Sequence, residues 1–228
     1  VSSEAAKARV LSLGEAPERV FNIGSPELDT HAQPSGVSIA EVKARYAIPF
    51  DDYGIVIFHP VTSEVDTMGA QAQSLFACLE ASGKNFVVIA PNNDPGTDDI
   101  FAVIEALPKD RFRLIPSMRF NYFSELMKNA AVMVGNSSAG VREAPFLGLP
   151  SLDVGSRQNN RAQAASIVGC SALDQPTILN FISTRWHHDA LNSHDFGSGQ
   201  SAKQFVAVMR SPDFWTQDQQ KTFVEKSL

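Results

Sequence analysis

Residues 130–143 read Ala130-Ala131-Val132-Met133-Val134-Gly135-Asn136-Ser137-Ser138-Ala139-Gly140-Val141-Arg142-Glu143, an apolar run that passes through a glycine into a helical pattern. That is the strand-to-helix junction of a βα unit. The first turn of a helix leaves backbone N–H groups unpaired at the positive end of the helix dipole, so the hydroxyls of Ser137 and Ser138 beside it suit an anion, and a phosphate fits there. Glu143 lies roughly 7 Å farther along the axis at about 1.5 Å per residue, about the spacing between a nucleotide's phosphate and its ribose. The stretch therefore reads as a nucleotide site. An ordinary serine N-cap would explain Ser137 or Ser138 and leave Asn136, Gly140 and Glu143 without a reason.

Working outward, four further apolar runs recur: Gly54 to Phe58, Phe86 to Ala90, Phe112 to Ile115 and Ser151 to Val154, with Ala131 to Val134 between the last two. Stretches of helical spacing separate most of them, which predicts an α/β fold with a parallel sheet sandwiched between helices. Val65, Met68, Ala72, Leu75, Phe76 and Leu79 recur at helical spacing and Gly83 stops that helix. Thr97 with Asp98 and Asp99 marks a helix start, and Pro108 lies just past its end. Asn121 to Ala130 and Gly140 to Gly148 supply two more helices. Cys170 is placed in a loop and Cys78 in a helix.

The ends of the chain read differently. Ser3 to Leu13 is a predicted helix closed by Gly14, and Arg19 to Gly24 a predicted strand. A helix and strand alone cannot form a core, so residues 1–24 are expected to be the tail of a preceding domain, and a chain starting at Val1 is expected to have been trimmed from a longer one. Residues 25–37, rich in Pro, Gly and Ser, read as a hinge. Ser38-Ile39-Ala40-Glu41 is a capping-box sequence that opens the main domain, 38–185. Residues 186–228 are expected to form a helical segment with helices at Ser201 to Arg210 and Phe214 to Lys226, after one at Thr177 to Thr184.

With 228 residues, of which 43% are hydrophobic and 19% charged, the chain can bury one good core. The formal net charge of -6, without any Lys/Arg run, argues against a nucleic-acid surface and for small-molecule partners. Two cysteines, Cys78 and Cys170, are too few for a disulfide framework and lack metal-type spacing, so reduced thiols and a cytoplasmic location are expected. No apolar stretch approaches the roughly 18 residues that span a bilayer, and no membrane partner is expected.

Ligands of open α/β sheets bind beyond the carboxyl ends of the strands, and the residues after each run are polar. His59 follows the first run and suits either a phosphate oxygen or acid catalysis near a leaving group, its ordinary pKa lying near neutrality; backbone-satisfied packing is the alternative. Asn92 and Asn93 follow the second, where at least one is expected to build an Asx turn. Met118, Arg119 and Phe120 follow the third: Met118 is placed to flank a base, while core packing is the expected fate of Phe120. Arg157 and Arg161 follow the fifth, and among Arg119, Arg157 and Arg161 the position just beyond a strand end favours Arg157 as a phosphate clamp. His187, His188, His194 and Asp195 lack the spacing of a metal shell and read as a flexible surface segment. Asp51-Asp52, at the amino end of a strand, reads as a solvated turn.

Taken together, Arg19 to Pro26, Phe58-His59-Pro60-Val61-Thr62, Pro91 to Gly96, Gly135 to Glu143 and Gly155-Ser156-Arg157-Gln158 resemble the UDP-N-acetylglucosamine 2-epimerases, particularly the hydrolysing branch that makes N-acetylmannosamine for sialic-acid-type sugars. The resemblance covers most of the chain. It implies one Rossmann-like three-layer α/β/α half of the two-Rossmann architecture of B-type glycosyltransferases, with substrate between the halves. It further implies that Ser137 and Ser138 hold the UDP pyrophosphate and Glu143 the ribose hydroxyls. Arg157 would support the nucleotide, Met118 border the uracil, His59 act at the diphosphate, and Asn92, Asn136 and Gly140 line the same site. Asn-Ser-Ser at the helix start, where the reversible branch has Asp-Ser-Gly, favours the hydrolysing branch.

The implied chemistry removes the C2 proton, expels UDP to leave a glycal, and adds water with inversion at C2, with no cofactor and no metal. Its carboxylates belong mainly to the other half, so this chain alone is expected to bind UDP weakly and turn over nothing, and the whole protein to be a homo-oligomer. Two other readings stand beside it: a B-type glycosyltransferase, distinguished by transfer to an acceptor without C2 inversion, and a nucleotide-sugar sensor that binds without releasing UDP. Which sugar follows the UDP, N-acetylglucosamine or a 2,4-diacetamido sugar, stays open.

Overall fold

The computed structural model describes residues 1–162, 164–188, 192–217 and 220. The strands are β1 (Gly54–Ile57), β2 (Phe86–Ile89), β3 (Phe112–Ile115), β4 (Met133–Gly135), β5 (Ser151–Val154) and β6 (Ile167–Cys170). The helices are α1 (Glu4–Ser12), α2 (Pro26–His31), α3 (Ile39–Tyr46), α4 (Met68–Ala81), α5 (Thr97–Glu105), α6 (Phe120–Lys128), α7 (Ser138–Leu147), α8 (Gln175–Arg185), α9 (Ser201–Arg210) and α10 (Pro212–Trp215). The chain forms two compact units, Ser35–Ser193 and Val1–Pro34 with His194–Leu228.

In the larger unit all six strands run parallel in the order β3-β2-β1-β4-β5-β6. Period-two alternation sends Val56 and Phe58 to one face and Ile55 and Ile57 to the other, and both faces are covered. Leu75, Phe76 and Leu79 of α4, Ile100 and Ile104 of α5 and Ile178, Phe181 and Ile182 of α8 close the first face. Val42 of α3, Leu126 and Met127 of α6 and Ala139 and Ala144 of α7 close the second, completing the three-layer α/β/α sandwich. Burying each large side chain contributes about 1.5–3 kcal/mol, so this double-sided core is the main stabilising term. Chain order runs outward from β1 on one side and from β4 on the other, which makes the β1/β4 boundary the sheet's switch point.

The capping box forms as expected: the Ser38 hydroxyl accepts from Glu41 N–H while the Glu41 carboxylate accepts from Ser38 N–H. Gly148, in the left-handed region at φ 70, closes α7. Strand β6 was not anticipated, and it moves Cys170 from a loop to a strand end. Its apolar residues, Ile167, Val168 and Cys170, make a short run broken by the exposed Gly169, and pairing with β5 makes it a strand. Val65 falls in a 3-10 stretch, Thr62–Thr67, ahead of α4. The Asp51-Asp52 turn is not merely solvated. Asp51 pairs with Lys43 at 2.9 Å, and Asp52 accepts from Trp186 Nε1 at 2.9 Å and lies 2.7 Å from His187 Nε2, tying the end of α8 to the base of the sheet.

In the smaller unit the Ser3 hydroxyl caps α1 by accepting from Ala6 N–H. The strand expected at Arg19 to Gly24 is absent: Pro17–Arg19 is a 3-10 turn, and the extended residues after it make isolated backbone bonds, Ile23 N–H to Val1 O and Ser25 N–H to Phe196 O, with no ladder. Residues 25–37, read as a hinge, contain α2, whose Leu28 is fully buried. Asp29 of α2 accepts from the N–H groups of Ser201 and Ala202 at the start of α9. The helix expected over Phe214 to Lys226 is confined, among the described residues, to α10; positions 218–219 and 221–226 lie outside them. No helix among the described residues is long and apolar enough to cross a membrane.

Candidate functional site

The carboxyl ends of β1 and β4 meet through one side chain. Asn136, 1% exposed, accepts from His59 N–H at 2.7 Å through Oδ1 and donates to His59 O at 2.8 Å through Nδ2. It thereby extends the β1–β4 ladder past Gly135, where the two backbones come so close that no side chain fits: a Cβ on Gly135 would lie 2.0 Å from Ile57 O, and its φ is +130. The rim at the switch point is thus held rigidly.

On this rim the first turn of α7 opens. Ser137 is the N-cap, its hydroxyl accepting from Ala139 N–H at 3.4 Å, and both Ser137 and Ser138 remain half-exposed. The capping bond is long, and both side chains keep access to solvent. Glu143 lies farther along α7 and is 7% exposed. Gly140 has a packing reason to be glycine: its N–H donates to Ser137 O, and a Cβ there would stand 2.9 Å from Ser151 Oγ on β5.

His59 departs from the expectation of a near-neutral titration. Burial, reinforced by the Arg157 guanidinium and only partly opposed by Asp94, pushes its pKa down to about 4. Its Nδ1 accepts from Asn92 N–H at 3.1 Å, which places the proton of the neutral ring on Nε2. With its pKa held low, His59 is neutral at pH 7 in this structure and presents Nε2 as a hydrogen-bond donor. Asn92 builds no Asx turn: its Nδ2 donates to Asp94, and its buried Oδ1 has no partner.

Of the three arginines only Arg157 joins the rim; Arg119 and Arg161 are exposed. Arg157 donates to Asn136 O at 3.3 Å, and Gln158, 2% exposed, donates to the same carbonyl at 2.8 Å. The sequence assigns Gln158 no role beyond its place in the Gly155-Ser156-Arg157-Gln158 stretch. Met118 is half-buried against the second core cluster. Phe120, expected in the core, is 39% exposed at the start of α6, where the Phe123 ring lies 6.5 Å away. His187, in the cluster read as a flexible surface segment, bonds Asp52 instead.

A cleft of about 720 Å³ opens beside this rim, lined by Glu64, Gln71, Asp153, Gly155, Ser156 and Cys170 among others. Burial raises the Asp153 carboxyl to about 6 and, with nearby carboxylates, the Cys170 thiol to about 11. Ser156 donates its hydroxyl to Glu64, which also accepts from Gln71 Nε2 at 2.9 Å. A rim combining a helix start, two half-exposed hydroxyls, an imidazole donor and one guanidinium has the chemistry to attract an anionic group.

The sequence model of the family described as UDP-N-acetylglucosamine 2-epimerase matches residues 1–210. A UDP-N-acetylglucosamine 2-epimerase of Neisseria meningitidis serogroup B is 40% identical over 232 residues, covering 100% of this chain and 61% of the relative. A hydrolysing UDP-N,N'-diacetylbacillosamine 2-epimerase of Legionella pneumophila is 34% identical, covering 92% of this chain and 56% of the relative. Among solved structures, the Methanocaldococcus jannaschii UDP-GlcNAc 2-epimerase in complex with UDP-GlcNAc and UDP superposes with a TM-score of 0.72 at 19% identity, over 92% of this chain and 59% of that one. The chain thus spans less than two thirds of the length of the relatives it matches.

Proposed function

The chain belongs to the UDP-N-acetylglucosamine 2-epimerase family, and we propose that it is the UDP-binding half of a hydrolysing member. The α7 N-terminus with Ser137 and Ser138 takes the diphosphate, and Arg157 adds charge beside it. Glu143 accepts from the ribose hydroxyls, and Met118 borders the uracil. Asn136 and Gly140 shape the rim, and Asn92 holds His59 in the tautomer that donates through Nε2. The observation that carries this reading is the convergence of His59, Asn136 and the α7 N-terminus at the switch point, where nucleotides bind in open α/β sheets.

In this reading a base takes the C2 proton, the C1–O bond breaks, and UDP leaves with the bonding pair, forming the C1=C2 bond of a glycal. The neutral His59 donates a hydrogen bond to the departing phosphate oxygen, an electrostatic contribution that requires no imidazolium. Water then adds, its hydroxyl to C1 and a proton to C2 on the opposite face, giving N-acetylmannosamine. The carboxylates that move the C2 proton belong to the part of the protein outside this chain, and the whole protein acts as a homo-oligomer.

Incubation of the whole protein with UDP-N-acetylglucosamine, followed by NMR, tests the reading. Free UDP with N-acetylmannosamine is expected. UDP-N-acetylmannosamine without UDP release would make the protein a reversible epimerase, and sugar transfer only on adding an acceptor would make it a glycosyltransferase. The 228-residue chain alone is expected to bind UDP weakly and to form no N-acetylmannosamine; formation by the chain alone would overturn the division of labour.

A further inference from the structure

The residue two places beyond His59-Pro60-Val61-Thr62, Glu64, has no role in the nucleotide binding proposed above, yet it closes a circuit of hydrogen bonds around that site. Glu64 lies in the 3-10 stretch after β1, half-buried, and reaches the loop after β5, where its carboxylate accepts the Ser156 hydroxyl. Its other oxygen accepts from Gln71 Nε2 at 2.9 Å, and the same amide donates to Thr67 Oγ1 at 3.0 Å, so α4 fixes the carboxylate in place.

Ser156 is where the loop after β5 changes direction. Gly155 before it has φ +88 and donates its N–H to Cys170 O at 2.8 Å; Asn159 N–H returns to Ser156 O at 3.1 Å. Arg157 and Gln158 occupy the middle of the turn so formed, and both donate to Asn136 O. Asn136 in turn holds both backbone groups of His59, which begins the loop containing Glu64. The ends of β1, β4 and β5 are therefore joined in a ring running His59, Glu64, Ser156, Arg157, Asn136 and back to His59.

We propose that Glu64 is a positioning residue, whose grip on the Ser156 hydroxyl sets the turn that presents Arg157 to the diphosphate. The inference rests on the nucleotide reading of the rim. Electrostatics alone argues the opposite sign: a carboxylate near a phosphate site repels the ligand, so its removal would tighten binding. Positioning requires that removal weaken it.

Ligand-observed NMR titrations of the 228-residue chain with UDP and with uridine separate these outcomes. Glu64→Ala and Ser156→Ala are each expected to weaken UDP about tenfold, the size of one lost hydrogen bond acting through a charged group. Uridine, which carries no phosphate for Arg157, should change less than about twofold. In an Arg157→Ala background neither substitution should weaken UDP further, since the residue being positioned is gone. Glu64→Gln, which keeps an acceptor for Ser156, should recover part of the loss. Tighter UDP binding, equal losses for UDP and uridine, or an undiminished effect without Arg157 would overturn the positioning role. A wild-type chain that binds no UDP would instead overturn the nucleotide reading and this inference with it.

Discussion

Asn136 and His59, 77 residues apart, exchange two hydrogen bonds of 2.7 and 2.8 Å between one side-chain amide and the backbone N–H and C=O of one residue, so a side chain does the work of a strand residue at the point where the sheet reverses its order. No other uncharged side chain of this size supplies both a donor and an acceptor in that arrangement except a longer glutamine. Asn136→Ala leaves the His59 N–H and carbonyl unpaired in a partly buried place and should cost about 2–6 kcal/mol, at about 1–3 per orphaned group. Asn136→Asp keeps the acceptor but sets an anion against His59 O, and should be no better. Urea midpoints of the two variants check this; a change below about 0.5 kcal/mol for either would contradict it.

Gly135 permits that approach. Gly135→Ala should destabilise the chain by more than about 3 kcal/mol or abolish folding, because a Cβ at 2.0 Å from Ile57 O forces β1 and β4 apart as well as straining φ. Gly83, also at positive φ but with nothing within 4 Å, is the control: Gly83→Ala should cost only about 1–2 kcal/mol. Similar costs at the two positions would show that backbone strain, and not the close approach, is what requires glycine at 135.

Two buried groups respond to acid in opposite senses. His59, lowered from 6.5 to about 4, refuses a proton that the unfolded chain takes, so stability is lost as pH falls from about 6.5 to about 4. Asp153, raised from 3.8 to about 6, takes a proton before the unfolded chain does; its ionised form is the disfavoured one, so stability is gained as pH falls through about 6. Their slopes oppose each other between about pH 4 and 6. Asp153→Asn should therefore steepen the loss of stability on acidification by up to about 1.4 kcal/mol per pH unit, and His59→Gln should reduce it by a similar amount. Urea midpoints at pH 6.5, 5.5 and 4.5 measure the slopes, and slopes equal to wild type in both variants would contradict the assigned shifts.

The two serines at the start of α7 should separate in their effects. Ser137→Ala removes the N-cap and should cost about 1 kcal/mol of stability as well as UDP affinity. Ser138→Ala should weaken UDP while leaving the melting temperature within about 2 °C, since the hydroxyl caps nothing. Thermal melts and UDP titrations of both variants check this, and loss of stability without loss of UDP binding in either would reduce the pair to capping.

Local pattern carried a large part of the molecule. The runs that became β1 to β5, the Ser38 capping box, the Ser137 helix start and the Gly148 stop are properties of residues within a few positions of one another, and period and cap chemistry act at that range. They were enough to place the polar loops on one edge of a parallel sheet and to single out Arg157 beyond a strand end.

What tertiary structure alone decided lies between residues far apart in the chain. Strand β6 is completed by pairing with β5, its own apolar residues, Ile167, Val168 and Cys170, being few and interrupted by Gly169. His59 lost its near-neutral pKa to burial and to a guanidinium 98 positions later, and Phe120 reached the surface because the start of α6 faces outward. The Glu64–Ser156 link spans 92 residues. Burial, charge proximity and long-range hydrogen bonds are set by where the sheet brings its loops together, and no window along the chain contains that information.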